Sequence, residues 1–220
     1  MQVCVTLARA ARALACAGAL GLAACAVLAA PADSFFRQVE IDYAGGVAQM
    51  IAQGFDPNTR DARGRVALSV ALQNESLKAA KVLWETPGIQ VDLRNQADET
   101  PLMLAALKNE ADAAAALLAR GAAVSKSGWA PLHYAAASGS AVVLKLLLAH
   151  GAPVDARSPN GTTPLMMAAR YGSEEAVDAL LAAGADRGAR NEQGLDAESF
   201  ADGAGRPYLL ARLKPPTAAK

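Results

Sequence analysis

A chain of 220 residues that is 53% hydrophobic and 19% charged has apolar matter for one or two compact domains and too little charge for wholesale disorder. Its 21 Lys and Arg balance 21 Asp and Glu, which argues against a basic face for nucleic acid. The apolar share is mostly Ala, with only 5% aromatics. That mixture points to closely approaching helices and away from all-β architectures.

The N-terminus reads as a leader. Arg9 and Arg12 precede an uninterrupted apolar run of 18 residues, Ala13 to Ala30, that ends in Ala30-Pro31-Ala32. Positive, apolar and small-residue regions in that order are those of a secretory signal peptide. Residues 1–32 are therefore expected to be removed by cleavage after Ala32, leaving a periplasmic or secreted chain. An uncleaved membrane anchor is the competing reading. Within the leader, Leu22-Ala23-Ala24-Cys25 resembles the lipobox of bacterial lipoproteins, and under that alternative Cys25 is the lipidation site. All three cysteines, Cys4, Cys16 and Cys25, lie in the leader. A processed chain then has no disulfide and no thiolate ligand or nucleophile, which suits an oxidising compartment. It keeps 19 basic and 21 acidic residues, a net charge of −2.

Beyond the leader, one unit recurs. Thr100-Pro101-Leu102-Met103-Leu104-Ala105-Ala106, Ala130-Pro131-Leu132-His133-Tyr134-Ala135-Ala136 and Thr163-Pro164-Leu165-Met166-Met167-Ala168-Ala169 are its clearest copies. In each, a Leu pair and then a Gly follow at fixed distance: Leu117-Leu118 and Gly121, Leu147-Leu148 and Gly151, Leu180-Leu181 and Gly184. Weaker copies place the phase at Ser34, Ala67 and, truncated, Ala197. The pattern predicts helix pairs. Thr caps the first helix, Pro sits at its first position, and Asp33 and Asp196 are expected to cap the first and last copies. Gly139 and Gly172 are expected to end the first helix in left-handed conformation. Val142, Val143, Leu147 and Leu148 should turn to the core, and the polar segment from Asp155 to Gly161 leads into the next unit.

This repeat resembles the ankyrin repeat. The resemblance spans about Ser34 to Leu213 and implies an all-α repeat solenoid of about five to six helix-turn-helix units, residues 33–213, with hairpin loops projecting from one edge. Departures carry expectations of their own. An extra residue at Glu85-Thr86-Pro87 should change the second unit's exit. The join from Val124 to Trp129 is three residues short, so its tip should be clipped. Repeat 1 lacks Pro, repeat 6 lacks the Leu pair, and both should act as polar caps. The tail 214–220 is expected to be disordered.

Chemistry is sparse. Only two histidines exist. The resemblance gives His133 a structural role, bridging neighbouring loops, and His150 stands where it can offset a helix dipole. Glu174-Glu175 opens a helix, and Gly203-Ala204-Gly205 reads as a cap. Asn74-Glu75-Ser76 and Asn160-Gly161-Thr162 match glycosylation sequons, relevant only in a eukaryotic secretory pathway. No nucleophile elbow, Walker sequence, dinucleotide fingerprint or zinc spacing is present. The expectation is a non-enzymatic, monomeric scaffold without cofactor, metal, small-molecule substrate or nucleic acid. As the resemblance implies, it binds another protein through loop tips and first-helix face, stabilising or inhibiting it. Rival readings are a lipid-tethered structural protein of the envelope and a secreted effector acting on a host protein. The docking residues singled out are Trp129, Arg170 and Tyr171, with Lys108 and Asn160 at the edge, since Trp, Tyr and Arg dominate binding hot spots. Trp129 has an alternative role, folding over the shortened join to seal it.

Overall fold

The structure is a computed structural model and describes residues 31–214. The apolar leader, the lipobox with Cys25 and tail residues 215–220 lie outside the described residues. Helices run in six pairs: α1 (Pro31–Glu40) and α2 (Ala44–Ala52), α3 (Ala67–Gln73) and α4 (Leu77–Glu85), α5 (Pro101–Leu107) and α6 (Ala111–Ala119), α7 (Pro131–Ser138) and α8 (Ala141–Ala149), α9 (Pro164–Tyr171) and α10 (Glu174–Ala182), α11 (Ala197–Gly203) and α12 (Leu210–Leu213). A 3-10 turn, Pro207–Leu209, leads into α12. Among the described residues the sole β pairing is a single bridge between Arg60 and Val66. First helices pack on first helices and second on second, the first row more extensively.

Alanine sets that spacing. Ala105, Ala106, Ala135, Ala136, Ala168 and Ala169 are all fully buried, so facing helices are held apart by little more than methyl groups. Thr100 and Thr163 cap their helices as their position demands, each side-chain oxygen accepting the N–H of Met103 or Met166. Asp196 does the same for Ser199. Asp33 does not: α1 starts at Pro31, so Asp33 lies in the first turn and favours the helix through its charge there. Against expectation repeat 1 has a Pro at its helix start, three residues ahead of the marker at Ser34, and the cleavage expected after Ala32 would remove it. It is also less polar than a cap need be, because Phe35 and Phe36 are buried and Phe35 stacks on Phe55 at 4.4 Å.

In the second helices one register slips. Val142 is 65% exposed and Leu144 is buried beside Val143 and Leu147. The apolar face is centred one residue later than the Val pair suggests. Of each Leu pair, only the first member is fully enclosed. In repeat 6, Leu213 fills that place. The exit after α4 departs from its siblings, with Thr86 extended and its carbonyl held by Arg120 at 2.9 Å.

Gly139 ends α7 with φ 74°. Gly172 does not end α9 that way, having φ −79° and ψ −176°. Its requirement is space: an added Cβ would lie 2.3 Å from the Ala136 carbonyl oxygen and 2.8 Å from Ala168 Cα. The residues between paired helices also stitch repeats together. Asp42 accepts the Ala79 N–H at 2.9 Å, Lys108 pairs with Glu75 at 2.9 Å, and Ser173 donates to the Gly139 carbonyl at 2.9 Å. Gly172→Ala should therefore cost about 1–3 kcal/mol, the range for overpacking a tight site. A urea midpoint unchanged from the parent protein would refute the close approach.

Candidate functional site

Four projecting tips share one construction. Asp61, Asn95, Ser158 and Asn191 each open a turn closed by paired backbone bonds, as when Asn95 N–H donates to Glu99 O at 2.9 Å and Asp98 N–H returns to Asn95 O at 3.1 Å. The side-chain oxygens of these leading residues accept further tip N–H groups. An arginine precedes every one. Arg60 donates to its own Gly64 carbonyl and, at 2.7 Å, to Arg94 O of the next repeat. Arg157 likewise reaches Gly161 O and Arg190 O. At Val124 this ladder breaks, and no such turn closes the join to Ala130. The short join is a clipped tip. Lys126 pairs there with Asp98, and Gly128 faces Pro159 of the following tip.

The clipped join leads directly into α7, whose first residues Pro131, Leu132 and His133 are buried. Trp129, half-buried, folds back with its ring edge-on to His133 at 5.2 Å. Beside it lies a hollow of about 230 Å³, lined by Leu107, Trp129, His133, Tyr134, Ala137 and Met167. Its walls come from α5, α7 and α9 and are almost wholly apolar. Tyr134 donates to the Glu99 carboxylate at 3.0 Å, and burial together with that negative charge holds its hydroxyl well above the usual phenol range. Leu107 is 42% exposed, so the hollow opens to the surface.

His133 supports the hollow from below. It is fully buried, its Nδ1 accepts the Ala130 N–H at 3.1 Å, and its Nε2–H donates to Thr162 O at 3.0 Å. Since Nδ1 is an acceptor, the proton is assigned to Nε2. Repeats 3 and 5 place Met at this position, and their thioether sulfurs accept the Thr100 and Thr163 N–H groups instead. Repeat 4 has Ala130 where its siblings have a capping Thr, so its first turn relies on the imidazole.

The five docking residues divide into two groups. Trp129 and Asn160 lie towards the tips, whereas Lys108, Arg170 and Tyr171 lie at the opposite ends of their helices, about 10 Å away along an eight-residue helix. Trp129 alone of the five lines the hollow. Lys108 is tied to Glu75, and the Asn160 side chain accepts the Ser158 hydroxyl at 2.6 Å. Arg170 lies over the Tyr171 ring at 5.2 Å, and Tyr171 is 59% exposed. Tyr134, Met167 and Leu107 escaped sequence reasoning. Their repeat register, three and six residues after the Pro, was the available signal. Among the described residues no cluster of His, Asp or Glu is arranged for a metal, and no helix is long and apolar enough to cross a membrane.

A stack of helix pairs with projecting turns and an open first-helix face defines a helical-repeat solenoid. The profile of a three-copy run of ankyrin repeats matches residues 40–127 and 122–191, and the chain belongs to the ankyrin-repeat family. It is 31% identical over 116 residues to the transient receptor potential cation channel subfamily A member 1 of Homo sapiens, covering 51% of this chain and 10% of that protein. It is 30% identical over 118 residues to the B-cell lymphoma 3 protein homolog of Mus musculus, covering 50% of this chain and 26% of that one. Zygote-specific protein 3 of Chlamydomonas reinhardtii is 35% identical over 92 residues, or 41% of this chain and 25% of its own length. The matches thus cover about a quarter or less of each of these relatives. Ankyrin repeats generally mediate binding to other proteins, and the family is typically non-enzymatic.

Burial disfavours the His133 imidazolium and lowers its pKa in the fold, while an unfolded His titrates near about 6.5. The stability it lends is present above that value and is lost as pH falls below it, because the unfolded chain takes the proton first. Melting temperature should drop between about pH 7.5 and pH 5, and His133→Met, borrowing the sister repeats' solution, should flatten part of that drop. Equal slopes in both proteins would exclude the effect.

Proposed function

We propose that the protein is a non-enzymatic scaffold, exported across the inner membrane, that binds another protein over the hollow at Trp129 and stabilises or inhibits it. The observation that carries this reading is the hollow: an apolar depression on the first-helix face, opened by a clipped tip and framed by a rigid repeat stack. A preformed surface loses little ordering entropy on binding. Aromatic walls suit a partner's apolar anchor, since such pockets are where hot spots concentrate. Trp129 then has two duties, covering His133 and walling the hollow.

Capture of partners from envelope extract, followed by mass spectrometry, tests the docking face. Leu107 is partly exposed, so Leu107→Glu should leave the melting temperature intact and cut retention of the specific partner roughly tenfold or more. Equal retention by the parent and the variant would move the docking face elsewhere. Trp129→Ala should lower both melting temperature and affinity. A change in stability alone would assign it only the sealing role.

Export is supported by the three-part leader in the sequence. The exported protein should have the intact mass of a chain starting at Asp33. A diacylglyceryl or triacyl mass on a chain starting at Cys25 would replace the cleaved-leader reading with the lipoprotein one.

A further inference from the structure

A second recess lies on the first-helix side, between the tips that open at Asp61 and Asn95. It encloses about 220 Å³, and its walls include Arg65, Ser69, Gln73, Asn95, Gln96 and Glu99. It adjoins the hollow. Glu99 in its wall accepts the hydroxyl of Tyr134, which lines the hollow, at 3.0 Å.

The recess lies where repeat 2 departs from its siblings. Ser69 holds the register place of Met103, His133 and Met166, two residues after the phase marker. Those three side chains each accept the backbone N–H of the residue that precedes their helix. Ser69 makes no such bond. It is 1% exposed, yet its hydroxyl has no hydrogen-bond partner among the described residues. A buried hydroxyl without a partner carries a desolvation cost, which a polar group entering the recess would relieve.

The surroundings set the charge of that group. Arg65 is bound to Asp61 at 2.6 Å and to Glu40 at 2.7 Å. Asp98, next to Glu99, is shared by Arg94 and Lys126. Glu99 accepts from Asn95 on one oxygen and from Tyr134 on the other, and each oxygen keeps a further lone pair. A cation entering here would meet Arg65, and an anion would meet Glu99, so the recess suits a neutral group. That group must donate to a carboxylate and pair with a hydroxyl. A carboxamide does both, with two N–H donors and a carbonyl acceptor in one plane.

We propose that the recess binds the carboxamide of a partner's Asn or Gln, its amide N–H set against Glu99 and its carbonyl accepting from Ser69. The inference rests on the binding-scaffold reading and adds a specificity determinant to it. Because the two cavities share the Tyr134–Glu99 wall, a segment anchored in the hollow presents its neighbouring residue to the recess. An apolar pocket alone discriminates weakly, whereas a buried polar group rejects partners that leave it unpaired.

Two variants separate this role from folding. Ser69→Ala removes only the unpartnered hydroxyl, so it should melt at or above the parent's temperature. Ser69→His should fill the recess with the imidazole that repeat 4 uses at that place. Random dodecapeptides displayed on phage and selected on the purified protein supply the probe. The selected sequences should set Asn or Gln close to an apolar residue. The best synthetic peptide should bind roughly three- to tenfold more weakly to Ser69→Ala, and more weakly still to Ser69→His. Replacing its Asn by Leu, or its Gln by Met, should weaken binding to the parent and leave binding to Ser69→His unchanged. Peptides without a carboxamide, or ones that bind both variants as well as the parent, would overturn this inference. So would a lower melting temperature for Ser69→Ala, which would show the hydroxyl already engaged in the fold. If peptide binding still falls with Leu107→Glu in those cases, the hollow stands as the docking face. Peptides indifferent to Leu107→Glu as well, or none above background, would remove the docking face and this inference together.

Discussion

The methyl-to-methyl contact between first helices governs this molecule. Ala105, Ala106, Ala135, Ala136, Ala168 and Ala169 are sealed from solvent and are too small to leave slack. A helix that approaches on alanine must have its turn follow it in, which is why Gly172 runs against the Ala136 carbonyl and tolerates no Cβ. No single pair can close such a core. The alanines of one repeat are covered by those of the next, so stability is shared through interfaces along the array.

Much of the fold was legible because the repeat writes its own punctuation. Thr before Pro marks a capped start, and the helices do begin at Ala67, Pro101, Pro131, Pro164 and Ala197. Misreadings occurred where local chemistry was ambiguous. Asp33 looks like a cap, yet Pro31 two residues earlier is the stronger start. Val142 looks like core, but the helix turns its face to Leu144. Gly172 looks like a left-handed terminator, and only a three-dimensional neighbour shows that it is needed for space instead. The site was less visible still. Trp129 stood out because a large ring at a loop tip is odd. Tyr134 and Met167 occupy register positions that are core in repeats 2 and 3, where Val70 and Leu104 are buried.

The substitution of Met for His at the cap-facing position shows how a repeat can keep geometry while changing chemistry. A thioether and an imidazole nitrogen both accept a backbone N–H, and both are fully enclosed here. Only one of them can take up a proton. Two of the three best copies are thus electrically inert at that position, and the fourth repeat carries the sole titratable support beneath the hollow.

The broken ladder of tip arginines has a mechanical meaning. On the N-terminal side the guanidinium of Arg60 ties one tip to the next, and on the C-terminal side Arg157 does the same. Between them the shortened join has one lysine ion pair and a glycine resting on Pro159. The hollow spans the same joint, with walls on α5, α7 and α9. The tie between the third and fourth repeats has thereby moved from the tips to the helices, where Tyr134 holds the Glu99 carboxylate and Ser138 holds the Ala106 carbonyl.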